Sequence, residues 1–199
     1  MNPVRELDKI TPKEGIYSLA DSSIYEIYDR AIEYFNSGVF VELGSFYGGS
    51  SYYLADKIRK SGKDIKLYCV DVWERIPRED TKIELSDGRF AEYVDFYKDI
   101  EGSIFNKFWD NVKEFSDIIR PLQCDSALAA GLFDKVDFVF LDADHSYVGV
   151  WNDLIAWKDK CKWLAGHDYN LHVWQAVNEL FNESEIENVQ EMSFLIKRA

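Results

Sequence analysis

Long apolar runs are missing from this chain. No stretch approaches the roughly 18 consecutive apolar residues of a membrane-spanning helix, and the start, Met1-Asn2-Pro3-Val4-Arg5-Glu6, lacks the apolar segment of a secretory leader. Cysteine is scarce. Cys69, Cys124 and Cys161 lie far apart, form no C-x-x-C pair and are odd in number. That excludes a disulfide framework and a cysteine zinc site, and points to reduced, packed thiols in a cytoplasmic protein. Basic residues are few, 23 Lys and Arg against 36 Asp and Glu, for a formal charge of −13. Phosphates are repelled by such a surface, so nucleic acid is not expected as a partner, nor is a membrane. A cationic or neutral small molecule is compatible. Pro3, Pro12, Pro77 and Pro121 all fall outside strongly helical segments. Repeats and low-complexity tracts are absent.

Apolar side chains are plentiful by contrast. They make up 47% of the 199 residues and aromatics 16%, which suffices for a core and predicts one domain over 1–199. Ile24, Ile27, Tyr28, Ala31, Tyr34 and Phe35 recur at helical spacing, so residues 1–37 read as an N-terminal helical segment. Strands are predicted at 39–41, 65–70, 118–122, 136–141 and 162–165. Helices are predicted at 50–60, 104–115, 148–160 and 171–181, and one or two last strands within 186–197. Residues 72–103 break the pattern and read as a lid insertion, with 75–90 its best candidate. Alternation of strand and helix makes an α/β fold with a mainly parallel sheet and helices on both faces. Ligands of such sheets sit beyond the carboxyl ends of the strands. Glu42, Asp71, Asp142 and Asp168 stand at or just past predicted strand ends, so four carboxylates are expected along one edge.

The segment Val41-Glu42-Leu43-Gly44-Ser45-Phe46-Tyr47-Gly48-Gly49-Ser50 has the spacing E-x-G-x-x-x-G. It is neither the G-x-G-x-x-G of dinucleotide binders nor a P-loop with its lysine. A carboxylate before the turn repels pyrophosphate and attracts an ammonium or sulfonium group. A tight strand-to-helix turn without a ligand is the plain alternative. Asp71, one βα unit later, suits the two hydroxyls of a ribose. Nicotinamide enzymes place an acid similarly, so Asp71 alone does not choose the cofactor.

Together with Asp137-Phe138-Val139-Phe140-Leu141-Asp142-Ala143-Asp144-His145-Ser146-Tyr147, then Asp153 and Trp157, then Gly166-His167-Asp168-Tyr169, this pattern resembles class I S-adenosylmethionine-dependent methyltransferases. The branch it resembles is that of macrocin O-methyltransferase-like enzymes, over about 39–169. The resemblance implies a Rossmann-like, seven-stranded, mostly parallel sheet with one antiparallel strand. It implies that Gly44, Ser45 and the loop to Gly48 line the methionine part of the cofactor, with Glu42 facing its ammonium group directly or through water. Asp71 would hold the ribose, Val72 or Trp73 would lie against the adenine, and Asp125 and Ser126 would meet its amino group.

Asp142 and Asp168 are separated by one helix and one strand, so they are expected on adjacent strand ends, where two oxygens can hold magnesium. Asp142 is also counted among the cofactor contacts. Catechol-type relatives carry an Asp-Asn pair at the second position. Here Tyr169 follows Asp168 and Asn170 comes one later, so a third ligand is not assigned. His145, three residues after Asp142, is the first candidate for the base that takes the acceptor's proton. His167 is its rival, and His172 reads as a helix-start residue. The function expected is methyl transfer to a small-molecule hydroxyl of a sugar or natural product. The alternatives are a nicotinamide-dependent oxidoreductase and a cofactor-binding protein without catalysis. Acceptor and oligomeric state are not legible.

Overall fold

The computed structural model describes residues 16, 18, 20–74, 82–84, 90–92 and 103–198. The parts of the expected lid at 75–81, 85–89 and 93–102 lie outside them.

Helix α1 (Ser22–Tyr34) precedes strand β1 (Ser37–Leu43), helix α2 (Gly49–Ser61) and strand β2 (Asp64–Asp71). A short antiparallel pair, β3 (Lys82–Glu84) and β4 (Phe90–Glu92), stands apart from the main sheet. Then come α3 (Ile104–Val112), β5 (Ile119–Gln123), α4 (Ser126–Ala129), β6 (Val136–Leu141) and α5 (Tyr147–Trp157). The chain closes with β7 (Cys161–Gly166), α6 (Leu171–Leu180), β8 (Ile186–Val189) and β9 (Ser193–Lys197). Seven strands form one sheet in the order β5-β2-β1-β6-β7-β9-β8, parallel except for β9, which runs antiparallel to both neighbours. This is the seven-stranded, mostly parallel sheet with one antiparallel strand that the resemblance implies.

The two-residue period of a strand sorts the core into two layers. In β1, Phe40 joins Tyr28, Phe138 and Phe140 on the face covered by α1, α2 and α3. Val41 and Leu43 point the other way, with Val139, Leu141, Leu154 and Trp157, under α4 to α6. Tyr28 meets Phe140 edge-on at a ring separation of 4.9 Å and Phe138 at 6.1 Å. Phe108 is fully buried beneath α2, as its helical position predicts.

Basic residues on and just after α2 are paired. Lys57 meets Asp29, and Arg59 meets Asp117. The Lys63 ammonium donates to the carbonyls of Ile32, Glu33 and Phe35, so it closes the C-terminal turn of α1. Cys69 and Cys161 are buried and Cys124 is half-buried, all as free thiols. Among the described residues no helix is long and apolar enough to cross a membrane.

Candidate active site

The chain leaves β1 toward β2 and β5 on one side, then returns to β6 and β7 on the other. The two directions part between β1 and β6, where open α/β sheets bind ligands. Gly44 sits there with φ +89°, and a Cβ on it would lie 2.1 Å from the carbonyl oxygen of Asp142. Its N–H donates to the Val70 carbonyl at 2.8 Å, while the Asp142 N–H donates to Leu43 at 2.9 Å. Gly44 is therefore what lets the ends of β1, β2 and β6 close on one another.

Asp71 organises the next layer. One of its oxygens accepts from the Phe46 N–H at 2.8 Å and the other from the Trp73 N–H at 2.7 Å. The Trp73 indole donates to the Phe46 carbonyl at 2.8 Å. Phe46 and Trp73 have φ of 44° and 45°, a left-handed conformation that costs a non-glycine residue roughly 1–2 kcal/mol. One carboxylate holds both, and carboxylate oxygens retain further lone pairs for a ligand. The Trp73 ring is packed against Phe105 and Phe108.

A cleft open to solvent runs along these strand ends. Of the residues expected at a cofactor, Gly44, Asp71, Val72, Trp73, Asp125, Ser126 and Asp142 line it. Among the described residues its charged lining is acidic, Asp71, Glu74, Asp125, Asp142 and Asp144. Asp125 also caps α4, accepting the Leu128 N–H at 3.0 Å.

Glu42, Ser45 and Gly48 are not among the cleft's lining residues. Glu42 shares the face of Phe40 and is 1% exposed beneath the loop. Its carboxylate accepts from the Tyr28 hydroxyl at 2.8 Å, the Ser45 hydroxyl at 2.7 Å and the Ser51 hydroxyl. Burial raises its pKa against the pull of those three donors. Glu42 thus ties α1, the loop and α2 together from below. Ser45 is spent on this contact, and Gly48 precedes α2 in contact range of Phe108 and Val112.

At the ends of β6 and β7 the second set of predicted residues does converge. His145 Nε2 lies 3.2 Å from Asp142 Oδ1, and His145 Nδ1 lies 3.0 Å from Asp168 Oδ2. Burial pulls the imidazole pKa down, but the bonds to the two carboxylates outweigh it and carry it up to about 10. His167 is nearly buried. Its Nε2 meets Asp21 Oδ2 at 3.1 Å, and its Nδ1 stands 3.6 Å from Asp142 and 3.7 Å from Asp168. Asp21 accepts in addition from the Ser23 N–H, the Ser23 hydroxyl and the Ile24 N–H, as the N-cap of α1. Burial would raise its pKa, but the imidazole and the α1 donors hold it down at about 2. Asp168 has φ 50° and Leu171 φ 39°, so the turn after β7 is held in unusual backbone geometry, as functional turns often are.

One ligand atom each from Asp142, His145 and Asp168 lies within 4.8 Å of the others. Two carboxylates and an imidazole are a donor set that a hard divalent cation accepts, with the oxygens its preferred partners. His172 is exposed on the first turn of α6. Two participants escaped the sequence reading. Asp144, inside the D-A-D-H run, lines both the cleft and a smaller hollow behind it that includes His145 and His167. Asp21 was legible only as a capping residue ahead of an amphipathic helix; its link to a position 146 residues away was not.

Comparison with known proteins accords with this geometry. A family model described as a methyltransferase domain matches residues 41–169. No curated protein matches the sequence. Among solved structures, the O-methyltransferase NovP is 16% identical, covers 88% of this chain and 78% of its own, with a TM-score of 0.64. The calicheamicin methyltransferase CalS11 is 11% identical over 88% of this chain and 77% of its own, TM-score 0.62. An rRNA methylase from Streptococcus thermophilus is 9% identical over 91% and 99%, TM-score 0.59. At these identities the likeness is one of fold.

Proposed function

The chain belongs to the methyltransferase-domain family of class I S-adenosylmethionine-dependent enzymes, and from that premise we propose that it methylates a hydroxyl oxygen of a small molecule such as a sugar or natural product. The observation that carries this is the continuity of two regions through Asp142. That residue lines the cleft with Asp71 and Gly44, and it also belongs to the histidine and carboxylate cluster at the ends of β6 and β7.

The cleft's carboxylates suit a cofactor bearing a sulfonium and an ammonium group, with Asp71 at the ribose, Val72 and Trp73 beside the base, and Asp125 and Ser126 at its edge. The same charge disfavours phosphate-rich acceptors, which argues for a small neutral molecule over RNA. The sulfonium already activates the methyl group, so the chain's work is alignment and removal of a proton. Asp142 and Asp168 fit a magnesium ion, and such an ion supplies acidification of the acceptor hydroxyl when bound. His145 is the candidate base of this cluster, but with both ring nitrogens bonded to Asp142 and Asp168 and its pKa carried up to about 10, it takes the proton only from its neutral form, with one of those bonds released. His167, enclosed and bonded to Asp21, holds the carboxylates in position.

Calorimetry with S-adenosylhomocysteine and with NAD tests the cofactor assignment. The former binds and the latter does not. Asp71→Ala weakens binding by about 1.5–3 kcal/mol for each charge-assisted bond lost. Binding of NAD alone, or unchanged affinity in the variant, refutes the assignment.

A further inference from the structure

Ser126 is held from behind at two points by a single helix face. Its hydroxyl donates to Asp153 Oδ1 at 2.6 Å, and its carbonyl accepts from the Trp157 indole at 2.9 Å. Asp153 and Trp157 are four apart on α5 and so project from the same side of the helix. Both are enclosed, Asp153 at 3% exposure and Trp157 at 0%. In front, Ser126 lines the cleft beside Cys124 and Asp125. A buried carboxylate at this place is costly, since burial drives the Asp153 pKa up to about 7. Ser126 is the hydrogen-bond donor its carboxylate meets there. Ser126 is placed at the cofactor's edge in the reading above, but Asp153 behind it has no part in that reading.

A serine hydroxyl has one proton and two lone pairs. With the proton committed to Asp153, the lone pairs alone remain for the cleft. The geometry points to Asp153 as a positioning residue that makes Ser126 an obligate hydrogen-bond acceptor, so that the cleft selects a purine bearing an amino group over one bearing a carbonyl at the same edge. This rests on the adenosyl cofactor proposed above. Adenine offers an exocyclic N–H there and is received. Hypoxanthine offers an oxygen, which would face the lone pairs of Ser126 and the carboxylate of Asp125.

The test compares the affinities of S-adenosylhomocysteine and S-inosylhomocysteine by calorimetry, at a pH at least one unit above the Asp153 value. The wild-type protein prefers the adenosyl compound by on the order of 10–100-fold, the cost of leaving buried polar groups mismatched. Asp153→Leu keeps the volume but offers no acceptor, freeing the hydroxyl proton for the cleft, which asparagine would not do because its amide oxygen still accepts. The preference then falls about tenfold, mostly through tighter binding of the inosyl compound. Ser126→Ala, which leaves the α5 packing in place, loses preference similarly. A merely structural role for Asp153 weakens both compounds alike and leaves the ratio unchanged, and that result overturns the inference. A wild-type protein that binds the adenosyl compound without preferring it also overturns the inference while leaving the cofactor assignment standing. A protein that binds neither compound overturns both.

Discussion

Two glycines with left-handed backbones allow the closure of the strand ends to be measured against a built-in control. Gly44 has φ +89° and Gly62 has φ +69°, so alanine pays a conformational cost at either position, roughly 1–2 kcal/mol. The surroundings differ. At Gly62 a new Cβ meets nothing within 4 Å, whereas at Gly44 it falls 2.1 Å from the Asp142 carbonyl oxygen and 2.5 Å from its carbon. Those are backbone atoms of β6's end, which cannot rotate aside as a side chain does. Overpacking of that kind adds about 1–3 kcal/mol. Gly44→Ala is therefore expected to lose about 2–5 kcal/mol and Gly62→Ala about 1–2 kcal/mol. In a protein of this size each kcal/mol moves Tm by roughly 2–4 °C. Thermal melts of the two variants and wild type give the comparison, and calorimetry with S-adenosylhomocysteine adds a second readout. Gly44→Ala also loses cofactor affinity because the forced shift opens the crevice between β1 and β6; Gly62→Ala keeps it. Equal losses of Tm in the two variants, or intact affinity in a folded Gly44→Ala protein, would refute the claim that close approach at Gly44 shapes the cleft.

Tyr28→Phe removes one of three hydroxyls from the buried Glu42 and should cost about 1–3 kcal/mol in a denaturant titration; a neutral outcome would mean that Ser45 and Ser51 suffice. Burial holds the Asp153 proton on up to about pH 7 in the folded protein, against an ordinary 3.8 when unfolded, so its contribution to stability declines as pH rises between those values. Asp153→Asn removes that slope and gains up to ~4 kcal/mol above pH 7 and little below pH 4; melts of both proteins at acid and alkaline pH decide it, and parallel curves would place the titration elsewhere. With an acceptor found by screening sugars and phenols, His145→Ala should lower turnover by roughly 10²–10⁴-fold with cofactor affinity nearly intact. His167→Ala should lose less turnover but more stability, since it strands a buried Asp21. The opposite ranking of turnover would exchange the two roles. Chelator should abolish the activity and added magnesium restore it, and turnover indifferent to chelator removes the ion from the proposal.

Much of the architecture was legible because it is written in local patterns. Apolar runs at 39–41, 65–70 and 136–141 became β1, β2 and β6, and the tail did supply two strands. The adjacency of Asp142 and Asp168 followed from topology, since one helix and one parallel strand separate them. What local pattern could not supply was the direction of a side chain at a strand's end. Glu42 precedes a glycine turn, and the turn does not reveal that parity with Phe40 sends its carboxylate under α1 to Tyr28. Nor could it supply long-range partners. That His145 reaches Asp168 as well as its neighbour Asp142, that Ser126 is backed by Asp153, and that Asp21 reaches His167 are facts of tertiary packing between segments distant in sequence.

The Asp21–His167 contact makes the first turn of α1 a remote reporter of the site. One Asp21 oxygen holds the amides of Ser23 and Ile24, while the other is held by an imidazole next to Asp168. Ser23 also bonds Ser193 on β9. A helix start secured in this way does not fray on its own, so its amides should exchange with deuterium only when the sheet edge opens with them. Anything that binds between Asp142 and Asp168 and steadies His167 should slow exchange at Ser23 and Ile24. Helix α1 would then register occupancy of the site without touching the ligand.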